Sequence, residues 1–99
     1  MPAIIKSKRA VREAAEIWHY IAQDNSPAAD RLIDDIEHAL RFLAEYPRAG
    51  KERSDLARSL RTYPVGNYLL FYRPMKDGIQ LAHIIHGARD LRRLFPRRG

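Results

Sequence analysis

Residues 67–86 read Asn-Tyr-Leu-Leu-Phe-Tyr-Arg-Pro-Met-Lys-Asp-Gly-Ile-Gln-Leu-Ala-His-Ile-Ile-His, and they decide the architecture. Two runs rich in aromatic and branched apolar residues, 67–73 and 79–86, flank a Pro-Met-Lys-Asp-Gly break over 74–78. Runs of this kind bounded by turn residues predict strands. A connection this short forces the two strands to pair antiparallel. Side chains alternate along a strand, so Tyr68, Leu70 and Tyr72 share one face and Leu69, Phe71 and Arg73 the other. By the same rule Leu81, His83 and Ile85 alternate against Ala82, Ile84 and His86. Both faces are apolar at their centre, which predicts a sheet covered on both sides.

Working outward, residues 59–63 predict a further strand, joined to the next through the turn Pro64-Val65-Gly66-Asn67. Residues 48–58 are polar, contain Gly50 and show no periodicity, so they read as a loop. Residues 88–95 predict a final helical turn or two, and Pro96-Arg97-Arg98-Gly99 a frayed tail. At the other end, Pro2-Ala3-Ile4-Ile5-Lys6 reads as an opening strand, followed by a helix that Ser7 can cap. Val11, Ala14, Ala15, Trp18, Ile21 and Ala22 recur at helical spacing, with Arg9, Arg12, Glu13, Glu16 and Gln23 off that stripe. After Asp24-Asn25 a second helix starts, with Ser26 at the cap and Pro27 at the first helical position. Ala29, Leu32, Ile33, Ile36, Leu40 and Leu43 form its apolar face, and Asp30, Asp34, Asp35, Glu37 and Arg41 the other. It ends by Tyr46, because Pro47 disfavours helical geometry in the residue before it. Two amphipathic helices with so short a link predict an antiparallel hairpin, whose apolar seam must cover the sheet. The expected fold class is α+β: an N-terminal strand, a two-helix hairpin on an antiparallel sheet of three to four strands, and a short C-terminal helix.

The chain has 99 residues, enough for one domain over 1–99. It has no cysteine, which excludes disulfides and thiolate zinc sites and fits a reducing cytoplasm. No apolar stretch approaches the ~18 residues that span a bilayer, and the N-terminus lacks a signal-peptide pattern. The net charge of +6 is unevenly placed. Residues 1–47 carry six Lys/Arg against eight Asp/Glu, while residues 48–99 carry twelve against four. A positive field concentrated in one half favours an anionic partner, such as nucleic acid or an acidic peptide. The bland alternative is solubility.

The order of elements resembles that of the RelE/ParE family of bacterial toxins. Asp55-Leu56, Leu60-Arg61, Gly66-Asn67-Tyr68, Phe71-Tyr72-Arg73 and the run Leu81 to Leu91 (LAHIIHGARDL) carry the likeness, which covers essentially the whole chain. The resemblance implies a small toxin of a type II toxin–antitoxin system, neutralised by an antitoxin encoded beside it. RelE-like members cut messenger RNA on the ribosome, which needs a base for the 2′-hydroxyl, a proton donor and cations around the phosphate. Where RelE-like proteins place an Arg after the Tyr of the middle strand, this chain has Leu69. Arg89 matches the family's basic residue after the last strand, but the functional Tyr six positions on is Phe95, which cannot move a proton. ParE-like members also lack the ribonuclease residues, and this chain resembles them more. They are understood to poison DNA gyrase, which needs no active site: the toxin binds and stabilises a cleaved-DNA state.

On that resemblance the expected partners are a cognate antitoxin, whose extended acidic segment wraps the hairpin and sheet and orders as it binds, and DNA gyrase as target. Operator DNA is reached only through the antitoxin, and no membrane or cofactor is expected. The alternatives are a ribosome-dependent endoribonuclease using Arg61, Arg89 and His86, or a co-repressor that has lost toxicity. Arg61, Arg73, Arg89, Arg92 and Arg93 are the candidates for target contact, since a planar guanidinium suits phosphates and carboxylates alike. The competing reading is a solvated surface with Arg73 paired to Asp77 or Asp90. His86 and Arg89 are the only catalytic candidates. His83, where relatives commonly carry Arg, and His86 point to opposite faces of a regular strand and cannot share one metal ion. Trp18 and Tyr72 read as core, and Tyr63 and Tyr68 as the more exposed rings.

Overall fold

The computed structural model describes residues 2–89 and 91–95, and of Arg92 and Arg93 the backbone alone. A strand, β1 (Ala3–Lys6), leads into α1 (Lys8–Ala22) and α2 (Ser26–Glu45). Then come β2 (Lys51–Glu52), β3 (Arg61–Val65), β4 (Tyr68–Met75), β5 (Gly78–His86) and α3 (Leu91–Leu94). The strands form one sheet of five in the order β1-β5-β4-β3-β2. The expected hairpin, sheet and terminal helix are all present, but the sheet is wider than the three to four strands expected. β2 is a two-residue strand too short to show periodicity, and β1 joins the far edge, pairing parallel to β5 from Ala3 opposite Gly78.

Local chemistry sets the helix ends. The Ser7 hydroxyl accepts the Ala10 N–H (3.0 Å) and caps α1. At α2 the cap is Asn25 rather than Ser26: its side-chain oxygen accepts the Ala28 N–H (3.0 Å) from an extended backbone. Asn is as good a cap as Ser, so the helix starts one residue earlier, with Pro27 inside its first turn. The face of α1 is also turned by about one position. Ala10, Ala14 and Ile17 meet the core, while Val11 is 54% exposed. Trp18 is half-buried outside both cores, and its indole N–H donates to Asp30 Oδ1 of α2 (2.8 Å). A polar handle that finds a partner across the hairpin holds the ring there.

Two cores lie on the two faces of the sheet, as expected. Between hairpin and sheet pack Ala10, Ile36, Leu40, Leu43, Leu70, Tyr72, Ile79, Leu81 and Ile84. Each fully buried Leu or Ile there contributes on the order of 1.5–3 kcal/mol. On the opposite face Leu56 and Leu60, from the segment before β3, pack with Phe71, Ile85 and Phe95. Leu60 is thus a core plug of the loop, not a strand residue. The register shifts between Phe71 and Tyr72: Phe71 faces His83 while Tyr72 faces Leu81, which leaves Ala82 as a bulge. A bulge inverts the alternation, so Leu81 and Ile84 share the hairpin face and Ile85 the other. Regular alternation had put Leu81 with Ile85.

Both prolines expected in turns lie inside strands. Pro64 is in β3 beyond the two residues that pair with β2, and Pro74 is in β4 beyond the last residue paired with β3. Each sits where its strand has a single neighbour, so its missing N–H breaks no ladder. The turns shrink to Gly66-Asn67 and Lys76-Asp77, with Gly66 at φ 57° in the left-handed region that tight hairpins need.

Candidate functional site

Beyond Lys6, β1 stops and the outer edge of β5 passes under α1. The Ser7 N–H donates to the Leu81 carbonyl (2.9 Å) and the Ser7 hydroxyl to the Ala82 carbonyl (2.8 Å). Six residues on, a carboxylate oxygen of Glu13 accepts the Ile84 N–H (3.0 Å), and the other lies 3.5 Å from His83 Nδ1. Side chains of the helix thereby do for this edge what another strand would have done. Outside these contacts opens a cleft of about 740 Å³. Arg9, Arg12, Glu16 and Tyr20 of α1 line one side, and Asn67, Tyr68, His86 and Arg89 the other, with Ile17, Ile21 and Ile84 as apolar lining. His86 meets Tyr68 edge-on at 5.2 Å, and its Nδ1 accepts the Ala88 N–H (3.2 Å), so Nε2 is left as the ring's donor.

The arginines picked out from the sequence do not form one patch. Arg89 is exposed and lines the cleft. Arg61 is at the other end of the sheet, opposite Tyr72, whereas His86 is opposite Tyr68. Four strand residues amount to roughly 13 Å, so Arg61 is not assembled with His86 and Arg89. Its guanidinium donates to the carbonyls of Gly50 (2.7 Å) and Arg48 (3.3 Å), fastening the loop after α2. Arg73 donates to the Arg58 carbonyl (3.0 Å), not to Asp77. Asp90 and the side chains of Arg92 and Arg93 lie outside the described residues.

The loop held by Arg61 closes over Tyr72. This ring is fully buried; its hydroxyl donates to the Pro47 carbonyl (2.8 Å) and accepts the Gly50 N–H (2.9 Å). Burial raises the phenol's pKa, and the Gly50 N–H and the Arg61 charge oppose the rise. Gly50 is required by close approach, since a β-carbon there would run into the Tyr72 hydroxyl and lie 2.7 Å from its ring.

The two positions where ribonuclease chemistry would reside are packing positions. Leu69 is half-buried against the second core, and Phe95 is buried in it, with ring centroids 5.0 Å from Phe71 and 5.1 Å from His83. Phe95 therefore seats the terminal helix on the sheet. His83 is on the Phe71 face and His86 on the Tyr68 face, so the pair stays apart despite the bulge. Among the described residues no group of three His, Asp or Glu side chains is placed to hold a metal ion, and no helix is long and apolar enough to cross a membrane.

Sequence reading missed Arg9 and Arg12 as site residues, placing them only off the apolar stripe of the first helix. Their spacing with Glu16 and Tyr20 marked one side of α1. That this side fronts the end of β5 is a tertiary fact, set by the parallel pairing of β1.

Comparison with known proteins gives a consistent picture. A family model described as the ParE toxin of the type II toxin–antitoxin system parDE matches residues 4–91. The chain is 25% identical to Toxin ParE3 of Caulobacter vibrioides over 92 residues, covering 92% of each chain. It is 34% identical to the putative toxin Y4kP of Sinorhizobium fredii over 80 residues, 79% of this chain and 80% of that one. Its fold matches a chain from the chromosomal ParDE system of P. aeruginosa with a TM-score of 0.71 at 19% identity, covering 87% of this chain and 96% of the other.

Proposed function

The chain belongs to the ParE toxin family of type II toxin–antitoxin systems, and on that premise we propose that it poisons DNA gyrase in the cytoplasm until a cognate antitoxin removes it. The observation that carries this reading is the state of the two positions that would distinguish a ribonuclease. Leu69 and Phe95 are apolar and packed in the second core, and Arg61 is bonded to backbone carbonyls far from His86 and Arg89. A protein that works by binding one state of its target more tightly than another needs none of these groups to react.

An antitoxin segment would dock on the hairpin and the adjoining sheet. Val11, Phe42 and Tyr46 are exposed there, and Phe42 stacks between Tyr46 and Tyr63 at 5.4 and 5.8 Å. Large apolar side chains left in water are the usual mark of such a contact. Operator DNA would be reached through the antitoxin in that complex.

The test is gyrase supercoiling with the purified chain, with and without a trap for cleaved DNA. Loss of supercoiling together with accumulating linear plasmid supports the proposal. Unaffected supercoiling at large molar excess refutes gyrase as the target, and mapping message cleavage after induction then follows.

A further inference from the structure

We propose that the cleft between α1 and the end of β5 binds single-stranded nucleic acid, with phosphates held by Arg9, Arg12 and Arg89 and bases against Tyr20 and Tyr68. The inference concerns this chain alone and does not rest on gyrase being the target.

Charge and hydrogen-bonding capacity point the same way. Arg9, Arg12, Arg89 and His86 line this space, three guanidinium groups that only donate and an imidazole whose Nδ1 is already accepting from Ala88. Of the two carboxylates that also line the cleft, Glu13 is engaged by the Ile84 N–H and lies against His83, so among the described residues three arginines stand against Glu13 and Glu16. A donor-rich concavity wants an acceptor-rich anion, and arginine is the side chain that grips phosphate with two parallel bonds. At about 740 Å³ the space falls within the range of sites that enclose a compact ligand, roughly 300–1,000 Å³.

A peptide fits less well. A strand added to a sheet needs free backbone groups, yet along β5 the carbonyls of Leu81 and Ala82 and the N–H of Ile84 are already bonded to Ser7 and Glu13. A docked helix needs an apolar groove, and this cleft is rimmed by charge. What the walls offer beside the cations is aromatic: Tyr20 is 74% exposed and Tyr68 is half-buried at the cleft wall. Rings beside arginines are how proteins hold unpaired bases without regard to sequence. A duplex hides its base faces and would leave those rings unused.

The test is fluorescence anisotropy of labelled ten-nucleotide DNA and RNA single strands, titrated with the purified chain across a series of salt concentrations. The double variant Arg9→Gln/Arg12→Gln should bind about tenfold more weakly or worse. Its dependence of log affinity on log salt should be shallower by about 1.4, two phosphate contacts' worth for a single strand. Tyr20→Ala should weaken binding and leave that slope unchanged. All three side chains are exposed, and an unaltered thermal melt confirms that the variants fold. A control pair at the far edge of the sheet, Arg48→Gln/Lys51→Gln, should bind as the parent does. The relative strength of the DNA and RNA arms identifies which strand is the natural ligand. The proposal is overturned if the parent binds neither strand, if the control pair weakens binding as much as the cleft pair, or if a labelled poly-glutamate peptide alone shows the dependence on Arg9 and Arg12.

Discussion

Replacing Tyr72 by Phe should cost the fold far more than one oxygen atom suggests. The hydroxyl is the partner of two backbone groups, the Pro47 carbonyl at 2.8 Å and the Gly50 N–H at 2.9 Å. Neither is replaced by water at once, because the ring is fully buried and Gly50 with it. Each lost bond is worth about 1 kcal/mol net, and a buried donor left without a partner adds about 1–3 kcal/mol. The expected loss is therefore about 3–5 kcal/mol, a large part of the 5–15 kcal/mol typical of a whole domain. Urea unfolding followed by Trp18 fluorescence would read it as a lowered midpoint at unchanged slope. The same variant carries a pH signature. Burial raises the folded phenol's pKa above its ordinary value of 10.0, so as pH climbs past 10 the unfolded state gives up its proton first. The stabilisation is fully present below pH 10 and is lost as pH rises through the folded value. Tyr72→Phe should abolish that share of the alkaline decline. A loss below about 0.5 kcal/mol, or an alkaline limb identical to the parent's, would refute the reasoning, since both follow from one buried hydroxyl.

Three further outcomes are expected. Gly78→Ala should release β1, because Gly78 has φ 151° and its β-carbon would meet the Ala3 backbone; fast hydrogen exchange confined to residues 3–6 would show it. Glu13→Ala should speed exchange of the Ile84 amide and cost about 1–2 kcal/mol, whereas Glu13→Gln keeps an acceptor and should lose less. Phe95→Ala should destabilise by about 3 kcal/mol and loosen residues 91–95, since this ring fills the core between Phe71 and His83; a thermal melt with unchanged stability would show that the terminal helix is held by something else.

The hairpin and the three long strands were legible because their patterns are local. α2 shows a clean apolar stripe, and 67–73 and 79–86 are compact runs between turn residues. The strand edges were less so, since proline is a turn signal unless one knows that Pro64 and Pro74 lie where their strands have a single neighbour. The bulge at Ala82 gave no sign, because apolar residues occupy both faces and either parity looks acceptable. α1 carries apolar residues at 10, 11, 14, 15, 17, 18, 21 and 22, an arc so wide that spacing alone could not choose its buried side. Of the candidate site, His86 was visible as the last residue of a strand and Arg89 as a basic residue after it. Arg9 and Arg12 were not, because the cleft exists only once α1 crosses the end of β5. Arg61 and Arg73 read from sequence as target contacts, with a carboxylate as the competing partner for Arg73; the carbonyls that occupy them belong to a loop with no periodic signature.

The pairing of β1 with β5 has a consequence for the order of events on the ribosome. Ala3 finds its partner at Gly78, and Ser7 bonds to Ala82, 75 residues later. Contacts this distant close only after a long stretch of chain has been brought round, and synthesis runs from the N-terminus. The edge strand, the capped start of α1 and the cleft beside it thus stay incomplete until β5 has been made. Any partner that recognises those surfaces meets them only after that point, so a chain cut short before β5 would be born without them.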